Sequence, residues 1–146
     1  KCKYLIIRTS FFGWSNRKND KKNLLEQINS HKTKKINLWS DVYSTPVYIK
    51  TLIKIINIFI KYNVNKQIFN VSSNEIYSKY DLGYKFVKLM NLNPKKIIYS
   101  KFKLTKNIIK RPFNMSLSNK KLLKYFPKLQ NDLSINKMIK TMVKNK

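Results

Sequence analysis

The sequence of 146 residues has no alanine, two glycines and a single cysteine. Gly13 and Gly83 stand alone, so the chain has no glycine-rich loop of the kind that cradles phosphate groups. Cys2 has no second cysteine to pair with, which excludes an internal disulfide and favours a reducing, cytoplasmic location. Cys2 and His31 are the only cysteine and histidine, so these residue types cannot form a metal cluster, and we expect no metal site.

Acidic residues are also scarce, with six Asp and Glu against 32 Lys and Arg and a formal net charge of +26. Such a charge invites a nucleic-acid interpretation. However, lysine, asparagine and isoleucine abound while alanine, glycine, proline and arginine are depleted, which is typical of A+T-rich codons. The lysines are also scattered along the chain. We therefore favour codon composition over a nucleic-acid surface as the cause of the positive charge. A phosphate-bearing ligand would still be attracted by the positive electrostatic field.

Long hydrophobic runs are missing too. The most apolar region, residues 47–60, carries Lys50 and Lys54, so it is not a membrane span. No signal peptide is visible, and the chain opens almost at once on the apolar run that begins at Tyr4. From that opening we expect a piece of a longer protein.

The apolar segments that are present predict an α/β fold. Short β-branched runs indicate strands at residues 4–9, 36–39, 67–72 and 96–102. Amphipathic or capped segments indicate helices at residues 23–30, 45–62, 78–90, 119–125 and 135–143. Because long helices separate the strands, we expect parallel pairing and strands that are buried on both faces.

Two of these helices begin with clear capping signals. Thr45 before Pro46 predicts an N-cap followed by the first helical residue. Ser78 and Asp81 have the spacing of a capping box. Beyond Pro46, polar and apolar residues separate into two stripes. The polar stripe is Lys50, Lys54, Asn57 and Lys61, and the apolar stripe, which we expect to be buried, is Leu52, Ile55, Ile56, Phe59 and Ile60.

Arg111 is one of only three arginines and has the most structured context. Pro112 holds it extended, and Ser118 is a predicted N-cap for the helix that follows. A guanidinium is the side chain best suited to bidentate phosphate binding. The alternative is a structural salt bridge, but with so few acids available we favour an anion site.

The loop after the first strand is the second candidate for binding. Arg8, Thr9 and Ser10 are followed by Phe11 and Phe12, just beyond the carboxyl end of the strand. In open α/β sheets ligands bind at that edge. The alternative, equally weighted, is that the loop's three aromatic residues only anchor it to the core; they are Phe11, Phe12 and Trp14.

The sequence shows no credible catalytic centre. The six acids form no evident carboxylate pair, and His31 lies among lysines, as a solvated histidine would. Tyr99 and Lys103 have the spacing of a catalytic Tyr-x-x-x-Lys pair, but they fall on a predicted strand and the match is read as chance. We therefore expect no catalytic residue in this chain.

Three segments, taken together, resemble the C-terminal half of an extended short-chain dehydrogenase/reductase, and in particular the dTDP-4-dehydrorhamnose reductases. Residues 4–13 resemble the late Rossmann strand and its loop. Residues 41–49 resemble the family's Ser/Thr-Pro-x-Tyr helix start, and residues 111–122 its Arg-Pro segment. The resemblance covers nearly the whole chain. Two positions depart from the pattern, because Thr51 and Ser118 stand where the family has acids.

The resemblance implies an NAD(P)-dependent reductase of a nucleotide-linked 4-keto sugar, in deoxysugar or polysaccharide synthesis. Its dinucleotide-binding half, with the catalytic Tyr-x-x-x-Lys, would lie upstream, so this chain would be the substrate-binding half and the NADP or NAD would be bound mainly elsewhere. By position, Thr9 and Ser10 would approach the nicotinamide, and Phe11 the sugar or the nicotinamide. Asn23 would lie near the nucleotide and Arg111 would bind the diphosphate.

Other functions stay open at this point. One is a nucleotide-sugar epimerase or dehydratase of the same superfamily. Another is a non-catalytic relative that regulates a partner enzyme, and a less favoured one is a basic nucleic-acid-binding module. The resemblance is compatible with a homo-oligomer and does not define one.

Overall fold

The computed structural model describes residues 3–15, 22–30, 35–102 and 112–145. The chain divides into two compact units. The first unit comprises Lys1–Gly13, Thr45–Glu75 and Leu117–Lys146, and the second comprises Trp14–Ser44 and Ile76–Ser116. Each unit is therefore assembled from segments that lie far apart in the sequence.

The described residues form nine strands and five α-helices. The strands are β1 (Leu5–Arg8), β2 (Phe11–Phe12), β3 (Ile36–Trp39), β4 (Tyr43–Ser44), β5 (Val47–Tyr48), β6 (Gln67–Asn70), β7 (Tyr77–Ser78), β8 (Ile97–Ser100) and β9 (Asn114–Met115). The helices are α1 (Leu24–Ser30), α2 (Ile49–Lys61), α3 (Lys79–Leu89), α4 (Lys120–Tyr125) and α5 (Ile135–Lys144). All nine predicted elements are present, and the largest difference is the later start of α2.

The first unit contains two parallel strand pairs, β1 with β6 and β2 with β5. One face of the β1–β6 pair packs on aromatic side chains. The rings of Phe59 in α2 and Phe69 in β6 stack with centroids 5.2 Å apart, and Phe126 packs on Phe59 at 5.5 Å. These contacts, with the buried Ile55 and Leu122, form the core of the unit.

The other face of β1 and β6 is open. Ile6 is 45% exposed and its Cα partner on β6, Ile68, is 37% exposed. The prediction that these strands are buried on both faces is wrong for the described residues, because the helices of the first unit cover one face only. The same pair also leaves the outer edge of β1 without a strand partner in the described part of the chain.

Helix α2 begins later than the Thr45-Pro46 signal predicts. Val47 and Tyr48 are extended because they pair with β2, so the helix begins at Ile49 after an N-cap, Tyr48, that makes no side-chain cap. Thr45 is buried, and its Oγ1 accepts a hydrogen bond from the N–H of Leu117 at 3.0 Å. The prediction of Thr45 as N-cap is therefore wrong.

The apolar stripe of α2 is narrower than predicted. Leu52, Ile55 and Phe59 are buried, as expected from their spacing. Ile60 is 71% exposed, because it lies one turn beyond Asn57 on the outer side of the helix. The predicted burial of Ile60 is therefore wrong.

The second unit contains a parallel pair and a small mixed sheet. β3 pairs with β8 in parallel, and β4 lies between the antiparallel β7 and the parallel β9. The five two-residue strands among the described residues were not predicted, because pairs this short depend on partners far along the chain rather than on local pattern.

Gly83 lets α3 approach its neighbours closely. A Cβ at this position would clash with Leu38 Cδ1 of β3 and lie 3.2 Å from Ile28 Cδ1 of α1. All three residues are buried. The absence of a side chain at Gly83 therefore permits the contact that joins α1, α3 and β3.

The start of α3 confirms the predicted capping box. Ser78 Oγ accepts a hydrogen bond from the N–H of Asp81 at 3.0 Å and donates one to Asp81 Oδ2 at 2.6 Å. The start of α4 differs from the prediction by one residue. Its N-cap is Asn119 rather than Ser118, although Ser118 Oγ accepts from the N–H of Lys120 at 3.5 Å.

Candidate functional site

Thr9, Ser10 and Phe11 follow the carboxyl end of β1, at the edge where parallel sheets bind ligands. The Ser10 carbonyl accepts a hydrogen bond from the N–H of Val47 at 2.9 Å, which ties the segment to β5. Thr9 Oγ1 donates to the same carbonyl at 3.3 Å. The structure therefore brings these three predicted residues together on one short segment whose backbone is anchored.

The hydroxyl of Ser10 is buried and has no hydrogen-bond partner among the described residues. Leaving such a group unpaired costs about 1–3 kcal/mol. A ligand with a hydrogen-bonding group at this edge would remove that penalty. This hydroxyl is therefore a candidate contact for a polar ligand.

The aromatic residues of the loop divide between the two interpretations offered by the sequence. Phe12 is buried and packs on Tyr48 with ring centroids 5.9 Å apart. Trp14, in the second unit, packs edge-on against the buried Phe86 at 6.1 Å. Both anchor the loop to a core, whereas Phe11 is 64% exposed and is available for contact with a ligand.

Tyr48 lies beneath the loop and is 1% exposed. Its N–H donates a hydrogen bond to Met138 Sδ at 3.2 Å. Burial raises the pKa of Tyr48 above its ordinary value of 10.0, and a hydrogen bond with the Asn145 side chain offsets only part of that effect. The phenol therefore remains neutral near pH 7 and supports the loop by packing rather than by charge.

The end of β6 and the residues just after it hold a second segment, around Leu117, at the same edge of the first unit. Leu117 is bound through both backbone groups. Its N–H donates to Thr45 Oγ1 at 3.0 Å, and its carbonyl accepts from Ser72 Oγ at 2.9 Å. The Asn70 side-chain amide donates to the carbonyl of Ser118 at 3.1 Å. These bonds tether the end of the Arg-Pro segment to the edge of the sheet.

Asn119 completes this tether. Its side-chain amide donates to the Ser72 carbonyl at 3.1 Å and to Asn74 Oδ1 at 3.0 Å. Sequence reasoning missed Asn70, Ser72 and Asn119. The signal that could have found the first two is their position at and just beyond the end of a parallel strand, which is the rule that identified Thr9 and Ser10.

Asn23, the predicted nucleotide contact, lies in the second unit as the N-cap of α1. Its side-chain oxygen accepts hydrogen bonds from the N–H groups of Leu25 and Glu26, each at 3.1 Å. Glu26 returns the interaction, because its carboxylate accepts from the N–H of Asn23 at 3.0 Å and also from the N–H of Ser15. This is a capping box, so the Asn23 oxygen already has a structural role.

Arg111, the predicted diphosphate ligand, lies outside the described residues, as does His31. The chain beyond Pro112 enters β9, where the carbonyl of Phe113 accepts a hydrogen bond from the N–H of Tyr43 at 2.7 Å. It then reaches Leu117 and the tether described above. These bonds at Phe113 and Leu117 anchor the Arg-Pro segment on its carboxyl side.

Two features are absent from the described ranges, a metal centre and a membrane-spanning helix. No group of three or more His, Cys, Asp and Glu side chains there could hold a metal ion. Within the same ranges, none of the helices has the length and apolar character needed to cross a membrane.

Comparison with known proteins links this geometry to a family. Residues 1–144 match the family model described as RmlD substrate binding domain. The dTDP-4-dehydrorhamnose reductase of Bacillus anthracis, solved in complex with NADP, is 17% identical with a TM-score of 0.77, over 98% of this chain and 49% of that chain. The dTDP-4-dehydrorhamnose reductase of Clostridium acetobutylicum is 18% identical with a TM-score of 0.72, over 97% of this chain and 48% of that chain.

A third solved structure has a different activity. The UDP-glucose 4-epimerase of Thermotoga maritima, solved with UDP-glucose, is 12% identical with a TM-score of 0.65, over 98% of this chain and 47% of that chain. No curated protein matches the sequence. The chain spans about half the length of these solved structures, and the predicted α/β fold of the C-terminal half of an extended short-chain dehydrogenase/reductase is confirmed. This chain belongs to the RmlD substrate-binding domain family.

Proposed function

We propose that this chain is the substrate-binding half of an NAD(P)-dependent reductase that acts on a nucleotide-diphosphate 4-keto sugar. The observation that carries the proposal is the match of residues 1–144 to the substrate-binding family. Because the similar solved structures are about twice as long, the proposal assigns the catalytic Tyr-x-x-x-Lys and most of the cofactor contacts to a half outside this chain.

Ser10 and Thr9 are the proposed contacts to the nicotinamide. When bound, the reduced nicotinamide would supply the hydride that reduces the sugar carbonyl. The buried hydroxyl of Ser10, which has no partner among the described residues, supports this assignment, because a carboxamide offers both a donor and an acceptor. Its role would be to hold the nicotinamide ring in one orientation, which is a large part of what an enzyme contributes to hydride transfer.

Phe11 is the proposed apolar contact to the sugar or the nicotinamide. Its side chain is 64% exposed although Phe12, the next residue, is buried in the core. An exposed aromatic ring at a ligand-binding edge gains free energy when a ligand ring covers it. The position of Phe11 beside Ser10 supports contact with the same ligand.

Arg111 is the proposed diphosphate ligand and Asn23 the proposed nucleotide neighbour. The tether on Leu117 supports the first assignment, since it anchors the segment that carries Arg111. For Asn23, the cap on α1 means that a ligand bonded to the side-chain oxygen would compete with two backbone N–H groups. Its contribution to nucleotide binding would therefore come mainly through the position of α1.

The open face of β1 and β6 supports the proposed division into halves. Parallel sheets are ordinarily covered on both faces. In the described residues one face of this pair exposes Ile6 and Ile68, and the outer edge of β1 carries no further strand. A dinucleotide-binding half that adds strands at this edge and packs its helices on this face would bury both side chains.

The proposed reaction belongs to deoxysugar or polysaccharide synthesis in the cytoplasm. The single cysteine supports a reducing compartment. The positive charge of the chain supports an anionic substrate such as a nucleotide-diphosphate sugar.

An epimerase or dehydratase is the second candidate. The structural likeness to the UDP-glucose 4-epimerase favours it, since the same fold serves both activities. Such an enzyme would keep its NAD bound and would show no net oxidation of NADPH.

The experiment is a turnover assay of the intact parent protein with NADPH and dTDP-4-keto-6-deoxy sugar. The proposal predicts substrate-dependent loss of NADPH absorbance at 340 nm. Product formation from a UDP- or dTDP-hexose without loss of NADPH would favour the second candidate. If no nucleotide 4-keto sugar stimulates NADPH oxidation, the reductase proposal is wrong.

A further inference from the structure

A cleft of about 270 Å³ opens between α2 and α5 in the first unit. Its polar lining is Lys50, Thr51, Lys54, Asp132, Lys137 and Thr141. The buried side chain of Met138 closes part of its inner surface. The cleft shares no residue with the edge at Thr9, Ser10 and Phe11, so it is a separate feature of the unit.

One carboxylate in this cleft serves two lysines. Asp132 Oδ2 lies 2.5 Å from Lys54 Nζ, and Asp132 Oδ1 lies 2.7 Å from Lys137 Nζ. The Asp132 side chain is 16% exposed, whereas those of the two lysines are more than half exposed. The carboxylate therefore draws two ammonium groups to one point and can neutralise only one of them.

The ionisation of Asp132 reflects this arrangement. Burial opposes its charge, but the hydrogen bonds from Lys137 and Lys54 and the two positive charges outweigh burial, so the pKa of Asp132 is lowered. The carboxylate is therefore fully ionised near pH 7, and the charge balance of the cleft follows from three lysines and one acid.

Lys50 is the third ammonium group of the cleft. It is exposed and has no carboxylate partner among the described residues. Three positive charges and one negative charge thus line the cleft, which leaves an excess of positive charge there. A small anion between the helices would balance it.

The two threonines define what kind of anion fits. Thr141 Oγ1 donates its proton to the carbonyl of Lys137 at 2.8 Å, so it presents an acceptor to the cleft. Thr51 forms no such bond to a described residue and can donate. Three ammonium groups and one hydroxyl are the donors of a tetrahedral oxyanion site, since each oxyanion oxygen accepts more than one hydrogen bond.

We propose that the α2–α5 cleft binds a phosphate group, either as free inorganic phosphate or as a small phosphomonoester. Lys50, Lys54 and Lys137 supply the charge, and Thr51 donates a hydrogen bond. Asp132 competes with the ligand for Lys54 and Lys137, so this carboxylate lowers the affinity of the site while it holds the two lysines in place.

The test is a calorimetric titration of the 146-residue chain with inorganic phosphate at constant ionic strength, repeated with glucose 1-phosphate. The proposal predicts saturable binding of one equivalent. Tighter binding of glucose 1-phosphate would identify a phosphomonoester site, and equal or weaker binding would identify a site for free phosphate. Removing one ammonium group in Lys50→Met is expected to weaken binding about fivefold or more.

Two control variants distinguish phosphate binding in the cleft from attraction of phosphate by the net positive charge of the protein. Lys124→Met makes the same charge change on α4 and is expected to leave the affinity unchanged. Asp132→Asn is expected to tighten phosphate binding about threefold, because it releases two lysines to the ligand. Asp81→Asn, which makes the same charge change in the second unit, is expected to have no such effect.

Two results would overturn the proposal. One is the absence of saturable binding when phosphate replaces chloride at constant ionic strength. The other is an equal loss of affinity in Lys50→Met and Lys124→Met, which would attribute the binding to net charge alone.

Discussion

The Thr45 hydroxyl accepts a hydrogen bond from the backbone N–H of Leu117 across 3.0 Å, although the two residues are 72 positions apart. Thr45 is 2% exposed, so its hydroxyl cannot turn to water instead. The threonine that precedes Pro46 thus binds a distant segment rather than capping the helix that follows it.

Thr45→Val keeps the shape of the side chain and removes the acceptor. The half-buried N–H of Leu117 would then lose its partner, and we expect the free energy of unfolding to fall by about 1 kcal/mol or more. Thr45→Ser retains the hydroxyl and should lose less. Urea denaturation of the two variants measures the difference, and equal stability of Thr45→Val and the wild type would contradict the role described for Thr45.

Ser10→Ala should change the free energy of unfolding in the opposite direction. The hydroxyl of Ser10 is buried without a partner among the described residues, so its removal takes away a desolvated polar group and no hydrogen bond. We expect the ligand-free chain to be as stable as the wild type or up to about 1 kcal/mol more stable. Urea denaturation measures this.

The same variant tests the proposed role of Ser10 in the intact parent. There, loss of the hydroxyl should raise the KM for NAD(P)H about fivefold or more. A marked loss of stability together with an unchanged KM would mean that Ser10 has a structural partner instead of a ligand.

Asn23→Ala should weaken the start of α1. It removes the acceptor for two backbone N–H groups, and we expect a loss of about 0.5–2 kcal/mol in the free energy of unfolding. Asn23→Asp preserves the acceptor and adds a charge that favours a helix N-terminus, so its stability should match the wild type. If Asn23→Asp is as unstable as Asn23→Ala, the cap does not explain the residue.

Asp132 should make stability depend on pH in the acid range. Its pKa is lowered in the folded chain from the ordinary value of 3.8, so its contribution is complete well above pH 4 and is lost as pH falls through the folded pKa. Both lysine partners are more than half exposed, which limits the contribution to about 1 kcal/mol.

The measurement is urea denaturation of the wild type and of Asp132→Asn from pH 7 downward. The stability difference between them should be largest near neutral pH and should shrink below pH 4. A difference that stays constant over this range would show that ionisation of Asp132 is not its source.

Arg111→Lys in the intact parent should weaken binding of the nucleotide sugar. Lysine keeps the charge but cannot make a bidentate contact with a diphosphate, so we expect KM to rise about fivefold or more with a smaller change in kcat. Lys124→Arg is the matched exchange on the exposed side of α4 and should change neither constant. Steady-state kinetics with varied nucleotide sugar would decide, and an unchanged KM would remove Arg111 from the site.

The sequence predicted the long elements well because their patterns are local. The alternation of buried and exposed positions along α2, and the capping box of Ser78 and Asp81 in α3, each depend on residues within a few turns. The two-residue strands were missed for the opposite reason. Phe11 is extended because it pairs with Val47, and no local pattern records that partner.

The residues of the candidate site were likewise predictable only where the signal is local in the sequence. Thr9 and Ser10 could be found because the end of a buried strand is visible in the sequence. Asn119 could not, because its hydrogen bonds join segments that meet only in the folded chain. Asn23 was identified for a reason other than the one that the structure reveals, since the capping box with Glu26 was readable from the spacing alone.

The alternation of the chain between its two units has a consequence for how it folds. Leu5 pairs with Gln67, and Ile36 pairs with Ile97, in two parallel strand pairs whose members lie about 60 positions apart in the sequence. Neither pair can form while the earlier strand alone has left the ribosome, and the first unit also needs α4 and α5, which lie further along the chain than β6. Such non-local pairing predicts slow folding, on a timescale of about milliseconds to seconds. During that interval β1 lacks its partner β6, and the strand edge that β6 covers in the folded chain is open to aggregation.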